Sequence, residues 1–422
     1  KLLQFVFPSI IMMIFTSIYS VVDGLFVSNF VGKSAFAAVN LIMPFLMGIS
    51  ALGFMIGTGG SAIVAKTLGE GKIENANEYF SMLVYITAIG GIIIATLSMF
   101  LVKPVAILFG ASGTLLDNCI LYGRILCISL PAFMLQNVFQ SFFVTAEKPH
   151  LGLRVIVIAG VTNMVLVFLF VAVPHLGLPG AGFATVCGEF IGGLFPLFYF
   201  GRKNSSLLKL GKTHFHGRIL LKTCTNGSSE LMTNLSSSVV NALYNMQLMK
   251  FAGEDGVAAY GTIMYVNFIF VSIFFGYAIG SAPIVSYHYG ANNQDELKNL
   301  FHKSIRLIGT WAVSLFIIAQ LIATPLATLF VGYDQGLFEL TRSGFRLYSF
   351  AFLINGFNIY GSAFFTALNN GLLSALISFL RTLVFQMAVV LLLPLLLGIN
   401  GVWCSVAIAE LLTLCVTGTF IV

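Results

Sequence analysis

Long apolar stretches separated by short polar breaks run along the whole chain. About twelve of them reach the roughly 20 residues that an α-helix needs to cross the hydrocarbon core of a bilayer. Transmembrane β-strands would instead give ten-residue segments of alternating polarity, and the chain does not show that pattern. The second and eighth stretches look longest, which would suit tilt or extension beyond the lipid. The pattern predicts an all-α membrane protein with helices over 5–30, 36–66, 78–101, 119–142, 151–173, 179–200, 227–250, 257–288, 300–323, 341–365, 372–396 and 400–421.

The two halves of the chain resemble each other when the sequence is displaced by 221 residues without a gap. Residues 30–43 then align with 251–264, Glu189 aligns with Glu410, and several Gly and Pro positions stay in register. Each half holds six predicted helices, an even number, so both halves sit the same way up. We therefore expect two six-helix lobes related by a pseudo-twofold axis along the membrane normal.

One long polar segment joins the halves. We expect an N-terminal lobe over 1–200, an inter-lobe linker over 201–222 and a C-terminal lobe over 223–422. With this topology, fourteen of the 21 Lys and Arg residues lie on the side of the linker. The positive-inside rule places that side and both termini in the cytoplasm. The basic linker is thus a topology signal, and no nucleic acid is expected as a partner.

Composition and the potential metal ligands narrow the function further. The chain is 58% hydrophobic and 9% charged, with a mean hydropathy of +0.97, which excludes a soluble globular domain. Its six cysteines occur singly and without metal-ligand spacing, so they are predicted to be small core residues. His214 and His216 in the linker have no acidic or thiol neighbour in the sequence and are predicted to be solvated. We expect no cofactor.

Asp23 is the most informative polar residue, because it lies inside the first apolar helix. A carboxylate at that depth costs about 2.5–3.5 kcal/mol, so it marks a functional residue or half of a buried ion pair. No basic residue is predicted at its depth. Counting about 1.5 Å per residue places Asn163 and Thr185 at a similar level. A carboxylate, an amide carbonyl and a hydroxyl suit sodium or a proton held on the carboxylate, although Asn and Thr also join membrane helices.

Three other acids lie within or near the predicted helices. Glu189 and Glu410 have Arg124 and Arg381 as candidate partners, because these are the basic residues assigned to the helices. Structural and functional roles are equally open for both acids. Glu230, near the cytoplasmic end of the seventh helix, is expected to extend to the interface.

Polar stripes on several helices indicate either a water-filled cavity or a seam between helices. The seventh helix carries four such residues at i, i+4, i+7 and i+11, and a cavity between two lobes is the favoured interpretation there. Phe and Met side chains facing that cavity could stack on flat organic cations. The predicted cavity residues are Gln136, Asn137, Asn234, Ser238, Asn241, Asn245, Asn355, Asn358 and Glu410.

Three stretches resemble the multidrug and toxic compound extrusion (MATE) family, especially its bacterial MepA-like and DinF-like branches. They are SIYSVVDGLFVSNFVGKSAFAAVN, the loop LGEGKIENAN with its partner YGANNQDELKN, and VTNMVLVFLFVAVPHLGLPGAGFATV. The resemblance covers essentially the whole chain. It implies a secondary active antiporter of the bacterial plasma membrane that exports amphipathic, often cationic organic compounds in exchange for protons or sodium ions. We expect it to act as a monomer by alternating access.

The resemblance also implies a cation-coupling site in the first lobe. One branch of the family places an Asp on helix 1, an Asn and an Asp four residues apart on helix 5, and a Thr on helix 6. Asp23, Asn163 and Thr185 match that motif, but the fourth position is Val167. The departure weakens a sodium site and leaves proton coupling through Asp23 at least as plausible. Glu189, one turn after Thr185, is a candidate replacement carboxylate.

Three other classes of membrane protein fit the sequence less well. A flippase of lipid-linked precursors shares the architecture but would need a cationic cavity, whereas two Arg residues are the only bases assigned to the helices. A major-facilitator transporter would have a basic, Arg-rich loop after its second helix, which LGEGKIENAN is not. A membrane enzyme would need His, Asp or Glu clustered at one membrane face, and the sequence has no such spacing.

Overall fold

The described part of the chain folds into twelve helices. The computed structural model describes residues 2–26, 30–31, 33–172 and 176–421, and no β-strand occurs in these ranges. A single helical stretch, Gly217–Gly290, is broken at Gly253, where φ is 63° and ψ is −149°, and so forms two helices. We number the helices α1 to α12, over Leu2–Phe26, Lys33–Gly69, Ile73–Leu108, Gly113–Thr145, Pro149–Val167, Gly177–Gly201, 217–252, Asp255–Gly290, Gln294–Val331, Gln335–Ala367, Gly371–Leu397 and Ile399–Ile421.

The helices match the predicted spans, with differences at their ends. Within the described residues, eleven are long and apolar enough to cross a membrane, and α7 falls below that hydropathy because of its Asn and Ser residues. α2 and α8 are long, at 37 and 36 residues, but α3 and α9 are equally long, at 36 and 38. Their polar, acidic starts continue the helices beyond the apolar segment. The predicted ends of the first helix at 27–29 and of the fifth at 173 lie outside the described residues.

Matching backbone features recur in the two halves. Gly177 and Gly398, which are 221 residues apart, both have positive φ, at 63° and 60°, at the turn before the last helix of their lobe. A wide π-type turn is associated with the fifth helix of each lobe. In the first lobe it follows α5 directly, at Phe168–Ala172, and in the second it lies within α11, at Leu380–Phe385. The fold is therefore two six-helix lobes, α1–α6 and α7–α12, as the repeat predicts.

Each lobe has its own apolar core. The core of α7–α12 is continuous and includes Trp403, Tyr277 and Phe345. α1 contacts both lobes, because its Val6 and Ile10 join this core while its other side packs on α5. Helix α1 therefore packs against helices of both lobes.

The lobes approach most closely on the face that carries the linker, which we call the linker face. Gly69 at the end of α2 lies against the backbone of Tyr287, and Gly290 at the end of α8 lies against the backbone of Lys66. A β-carbon at either glycine would stand 2.0 Å from a carbonyl oxygen of the other helix. Only glycine permits this contact, so the two equivalent residues hold the lobes together backbone to backbone.

Residues 202–216 are non-helical and run back along α3. Lys209 N donates to Asn77 Oδ1 at 2.7 Å, and Thr213 Oγ1 donates to the Glu78 carbonyl at 2.8 Å. His216 Nε2 lies 3.2 Å from Glu78 Oε2, and His214 Nδ1 lies 4.0 Å from Glu78 Oε1. The histidines therefore do have an acidic neighbour, which the sequence hides because it lies on another element. Residues 217–222, predicted as linker, are the first turns of α7.

Candidate functional site

The four predicted coupling residues gather around Tyr122 in the N-terminal lobe. Asn163 Nδ2 donates to Thr185 Oγ1 at 3.2 Å, and the Tyr122 hydroxyl faces Thr185. Tyr122 is also close enough to Asp23 and Glu189 to interact with both electrostatically. We call these five residues the N-lobe cluster. The structure brings them together from α1, α4, α5 and α6.

Small residues make this convergence possible. Phe15 and Tyr19 of α1 pack on Gly160 of α5, and the Asn163 side chain lies against Gly188 of α6. Where the contact residue is glycine, two helix axes approach closely and polar side chains one turn away can meet. The sequence LGLRVIVIAGVTN thus positions Asn163 through Gly160, three residues before it.

Several oxygens in and beside the N-lobe cluster are buried without a hydrogen-bond partner among the described residues. They are Asp23 Oδ1, Asn163 Oδ1, the Tyr122 hydroxyl and, on the neighbouring face of α4, Gln136 Oε1. Unpartnered buried polar groups are rare in folded proteins. Three of these four atoms are carboxylate or amide oxygens, which accept a proton donor or coordinate a hard monovalent cation. Val167, where the family motif has an Asp, is fully buried among apolar side chains.

Glu189 has a hydroxyl as its hydrogen-bond donor and no cation. Ser129 Oγ donates to Glu189 Oε2. No Lys or Arg side chain of the described residues lies within 4.0 Å of Asp23 or Glu189. Arg124, a candidate partner, is exposed in a shallow groove on the outer face of α4 with Asp117. The cluster therefore holds two carboxylates without a neutralising base.

Glu410, the equivalent acid of the C-terminal lobe, is in an ion pair. Arg381 Nε donates to its Oε1 at 2.9 Å and to its Oε2 at 3.0 Å. Asn358 Nδ2 donates to Oε2 at 2.7 Å, and the Asn355 amide, in the orientation that satisfies both of its ends, donates to Oε1 at 3.2 Å. Glu410 is 1% exposed. Both carboxylate oxygens of Glu410 are hydrogen-bonded, so removing its arginine partner would leave a buried charge uncompensated.

A cavity of about 320 Å³ lies between the lobes. Its apolar walls include Met13, Phe54, Phe268 and Phe275, from α1, α2 and α8. These aromatic and thioether side chains from both lobes can adapt to flat apolar ligands.

Only part of the predicted cavity lining is found there. Of the α7 stripe, Asn234 lines the cavity, while Ser238, Asn241 and Asn245 are exposed farther along the same face, away from the linker face. Because polar side chains are unfavourable in lipid, this stripe indicates a water-filled approach to the cavity.

The other residues predicted to line a cavity are buried and are not among the lining residues of this one. Asn355 and Asn358 donate to Glu410, which pairs with Arg381. Asn137 donates to the Ser50 carbonyl at 3.4 Å in a seam with α2. Gln136 packs on Gly192 and faces Tyr19 beside the N-lobe cluster. A polar stripe in sequence does not distinguish a seam from a cavity, since both place polar groups on one face.

Two charged residues of the cavity were missed. Glu230 was expected to reach the interface, but it lines the cavity and is half-buried. Arg381 lines the cavity as well, while its Nε is bonded to Glu410. A signal for Glu230 was present, because it stands four residues before Asn234 and therefore begins the same helical stripe.

The comparison with known families agrees with the repeat. The family model described as MatE matches residues 8–169 and, a second time, residues 231–392. The chain belongs to the MATE family. Members of this family are transporters, so the protein is a multi-pass membrane transporter and not an enzyme.

Two of the relatives that match nearly the whole chain are named as multidrug export proteins. "Multidrug export protein MepA" of Staphylococcus saprophyticus is 21% identical over 426 residues, covering 100% of this chain and 92% of that protein. The protein of the same name from Staphylococcus haemolyticus is 23% identical over 411 residues, covering 97% and 90%. "FAD transporter" of Shewanella oneidensis is 21% identical over 317 residues, covering 74% and 70%.

Solved MATE structures share the fold. "Crystal structure of MATE in complex with MaL6" superposes with a TM-score of 0.94 at 22% identity, covering 99% of this chain and 94% of that one. "Outward-facing conformation of a multidrug resistance MATE family transporter of the MOP superfamily" gives the same TM-score, identity and coverage.

Proposed function

We propose that this MATE protein is a secondary active antiporter that exports amphipathic, often cationic organic compounds in exchange for protons or sodium ions. It acts as a monomer in the bacterial plasma membrane, with both termini and the linker in the cytoplasm. Lobes 1–200 and 223–422 alternate access to the cavity between them. The observation that carries the proposal is one helix, α1, that takes part in both the drug cavity and the N-lobe cluster.

The cavity suits an amphipathic cation. Its walls are mainly apolar, and the Glu230 carboxylate forms no ion pair within 4.0 Å of a described residue. Phe54, Phe268 and Phe275 offer ring faces to a flat cation, which aromatic rings attract electrostatically. An apolar pocket with a few charged groups is the common form of a small-molecule site. The names of the MepA relatives support the same class of substrate.

Coupling is proposed to run through α1. Met13 of α1 lines the cavity, and Asp23 of the same helix belongs to the N-lobe cluster. A ligand shifts a conformational equilibrium only when it binds the two states with different affinity. Protonation or ion binding at Asp23 rearranges α1, and the rearrangement moves Met13 and disfavours the cavity that holds the drug.

The oxygen ligands available in the N-lobe cluster favour a proton as the coupling ion. Val167 removes one anionic oxygen that the family's sodium motif supplies, and Thr185 Oγ1 already accepts from Asn163. Asp23 and Glu189 are two carboxylates without a base within 4.0 Å among the described residues, so each can take up or release a proton without breaking an ion pair. A sodium ion held by Asp23, Asn163 and Thr185 is the other possibility that the experiment tests.

Transport in proteoliposomes distinguishes the ions. Vesicles are loaded either at acidic pH or with sodium at constant pH, and ethidium uptake is followed after dilution into alkaline or sodium-free buffer. We expect the proton gradient to drive uptake and the sodium gradient alone to leave it at the level of protein-free vesicles. Ethidium uptake that matches protein-free vesicles under both gradients would overturn the antiport proposal.

A flippase of lipid-linked precursors is not favoured by the cavity. Arg381 is the one basic side chain among its described lining residues, and it is already paired with Glu410 through Nε. A pyrophosphate group carries at least two negative charges and would need more cations. A deletion strain should be hypersensitive to cationic drugs; cell-wall defects without drug hypersensitivity would instead support the flippase.

A further inference from the structure

Arg381 presents unused hydrogen-bond donors to the cavity. It lies in the π-type turn Leu380–Phe385, and such turns are frequent at functional sites because they redirect side chains. Both of its hydrogen bonds to described residues come from Nε and end on Glu410. Its two terminal amino groups, Nη1 and Nη2, donate to no described residue, while the side chain lines the cavity. The ion pair thus positions a guanidinium group whose outer edge is free.

Three hydroxyl groups on α10 and α11 also line this cavity. Ser362, Thr366 and Ser378 line the same cavity as Arg381. Ser362 Oγ lies 2.9 Å from Ser378 Oγ, and Thr366 Oγ1 lies 2.7 Å from Ser374 Oγ. Because a hydroxyl can rotate to donate or accept, this row can turn donors toward an anionic group beside Arg381. The wall formed by α10 and α11 is therefore rich in donors.

Glu230 gives the cavity a charge of the opposite sign. It is near enough to Arg381 to interact electrostatically, but the two side chains are more than 4.0 Å apart and form no ion pair. Asn234 Nδ2 donates to the backbone carbonyl of Glu230, so the carboxylate itself stays open to the cavity. The cavity therefore presents the Glu230 carboxylate as an acceptor and the Arg381 guanidinium as a donor to the same ligand.

We propose that Arg381, with the hydroxyls of Ser362 and Ser378, binds a carboxylate on the substrate while Glu230 binds the cationic group, so that amphipathic zwitterions are preferred over plain cations. The inference rests on the proposed export function and specifies its substrate class. An occupant without an acceptor displaces water from the guanidinium and leaves its N–H groups unpaired, which lowers affinity. A carboxylate matches two parallel N–H groups of an arginine, and this charge-assisted pairing is about twice as strong as a neutral hydrogen bond.

A matched pair of dyes tests the substrate preference. Rhodamine 110 carries a free carboxylate, and rhodamine 123 is its methyl ester with the same aromatic cation. Binding of each dye to the purified full chain is measured by fluorescence polarisation. We expect the wild type to bind rhodamine 110 about tenfold more tightly than the ester, because only the acid offers a charged acceptor.

Three variants test which side chains cause the preference for rhodamine 110. R381Q combined with E410Q removes the guanidinium donors without leaving a buried charge, and should abolish the preference, so that rhodamine 110 binds no more tightly than the ester. R381K retains the pairing charge for Glu410 but lacks the planar fork, and should reduce the preference in a protein that keeps its ion pair. E230Q should weaken both dyes to a similar extent.

The outcomes separate this inference from the export proposal. A wild type that binds the ester as tightly as the acid, or a double variant that weakens both dyes equally, would overturn the zwitterion preference and leave export of cations standing. If neither dye binds to or is transported by the folded wild type, both proposals fail.

Discussion

Glu189 and Glu410 stand at equivalent positions 221 residues apart, yet only Glu410 is paired with a cation. The position equivalent to Arg381 in the first half is Gly160, which has no side chain and accepts the rings of α1 instead. This one difference between the halves gives the two equivalent glutamates different electrostatic surroundings. The C-terminal lobe contains an ion pair, and the equivalent carboxylate of the N-terminal lobe has Ser129 as its hydrogen-bond donor and no Lys or Arg of the described residues within 4.0 Å.

Replacing each acid by glutamine should give opposite results. Glu410→Gln leaves Arg381 without its charge partner, and we expect a loss of about 3–5 kcal/mol of folding free energy. Glu189→Gln keeps a hydrogen-bond partner for Ser129, so stability should change little while ion coupling is impaired. Thermal unfolding in detergent and drug transport in proteoliposomes measure the two effects. Equal stability losses in the two variants would contradict the assignment, and unchanged coupling in E189Q would exclude it as a coupling residue.

Asp23→Asn should remove ion-driven transport and retain drug binding. The amide cannot carry a proton or an ionic charge, but it fills the same space, and Asp23 does not line the cavity. We expect ethidium binding within about twofold of wild type and no acceleration of uptake by a proton gradient. Asp117→Asn is the matched control, because Asp117 is exposed in the outer groove of α4. Full gradient-driven uptake by D23N would refute coupling through α1.

Val167→Asp tests whether the missing fourth acid decides the ion. Val167 is fully buried, so an added carboxylate should destabilise the protein unless a cation enters with it. We expect the unfolding temperature of V167D to rise when sodium replaces choline, as ligand binding to the native state requires. The wild type should show no such rise. A sodium-independent unfolding temperature in V167D would show that the other oxygens do not complete a sodium site.

Gly290→Ala should open the lobes on the linker face. The added β-carbon would stand 2.0 Å from the Lys66 carbonyl oxygen, so the backbone contact between α2 and α8 cannot form. We expect spin labels on the two lobes at this face to move apart, and transport to fall about tenfold because one state of the cycle is disfavoured. Gly90→Ala is the control, since a β-carbon there meets nothing within 4 Å. An unchanged label distance in G290A would show that this contact does not hold the lobes closed.

Apolar run length and the 221-residue repeat were sufficient to predict twelve helices and two lobes, because a bilayer requires each span to be long and apolar wherever it lies in the fold. The energetic cost of a charge in lipid marked Asp23, and counting residues along the helices placed Asn163 and Thr185 at its level, where the motif resemblance also has them. These are properties of single helices or of local spacing. They do not depend on how the helices are arranged in three dimensions.

Tertiary structure decided which polar groups face one another. Glu410 pairs with Arg381 and accepts a hydrogen bond from Asn358, whereas Glu189 accepts one from Ser129. Glu230 lines the cavity. The partners in these contacts lie on different helices, and helical periodicity describes only the face on which a residue lies. The opposing helix, and therefore the charge state and the role of each acid, is determined by how the lobes pack.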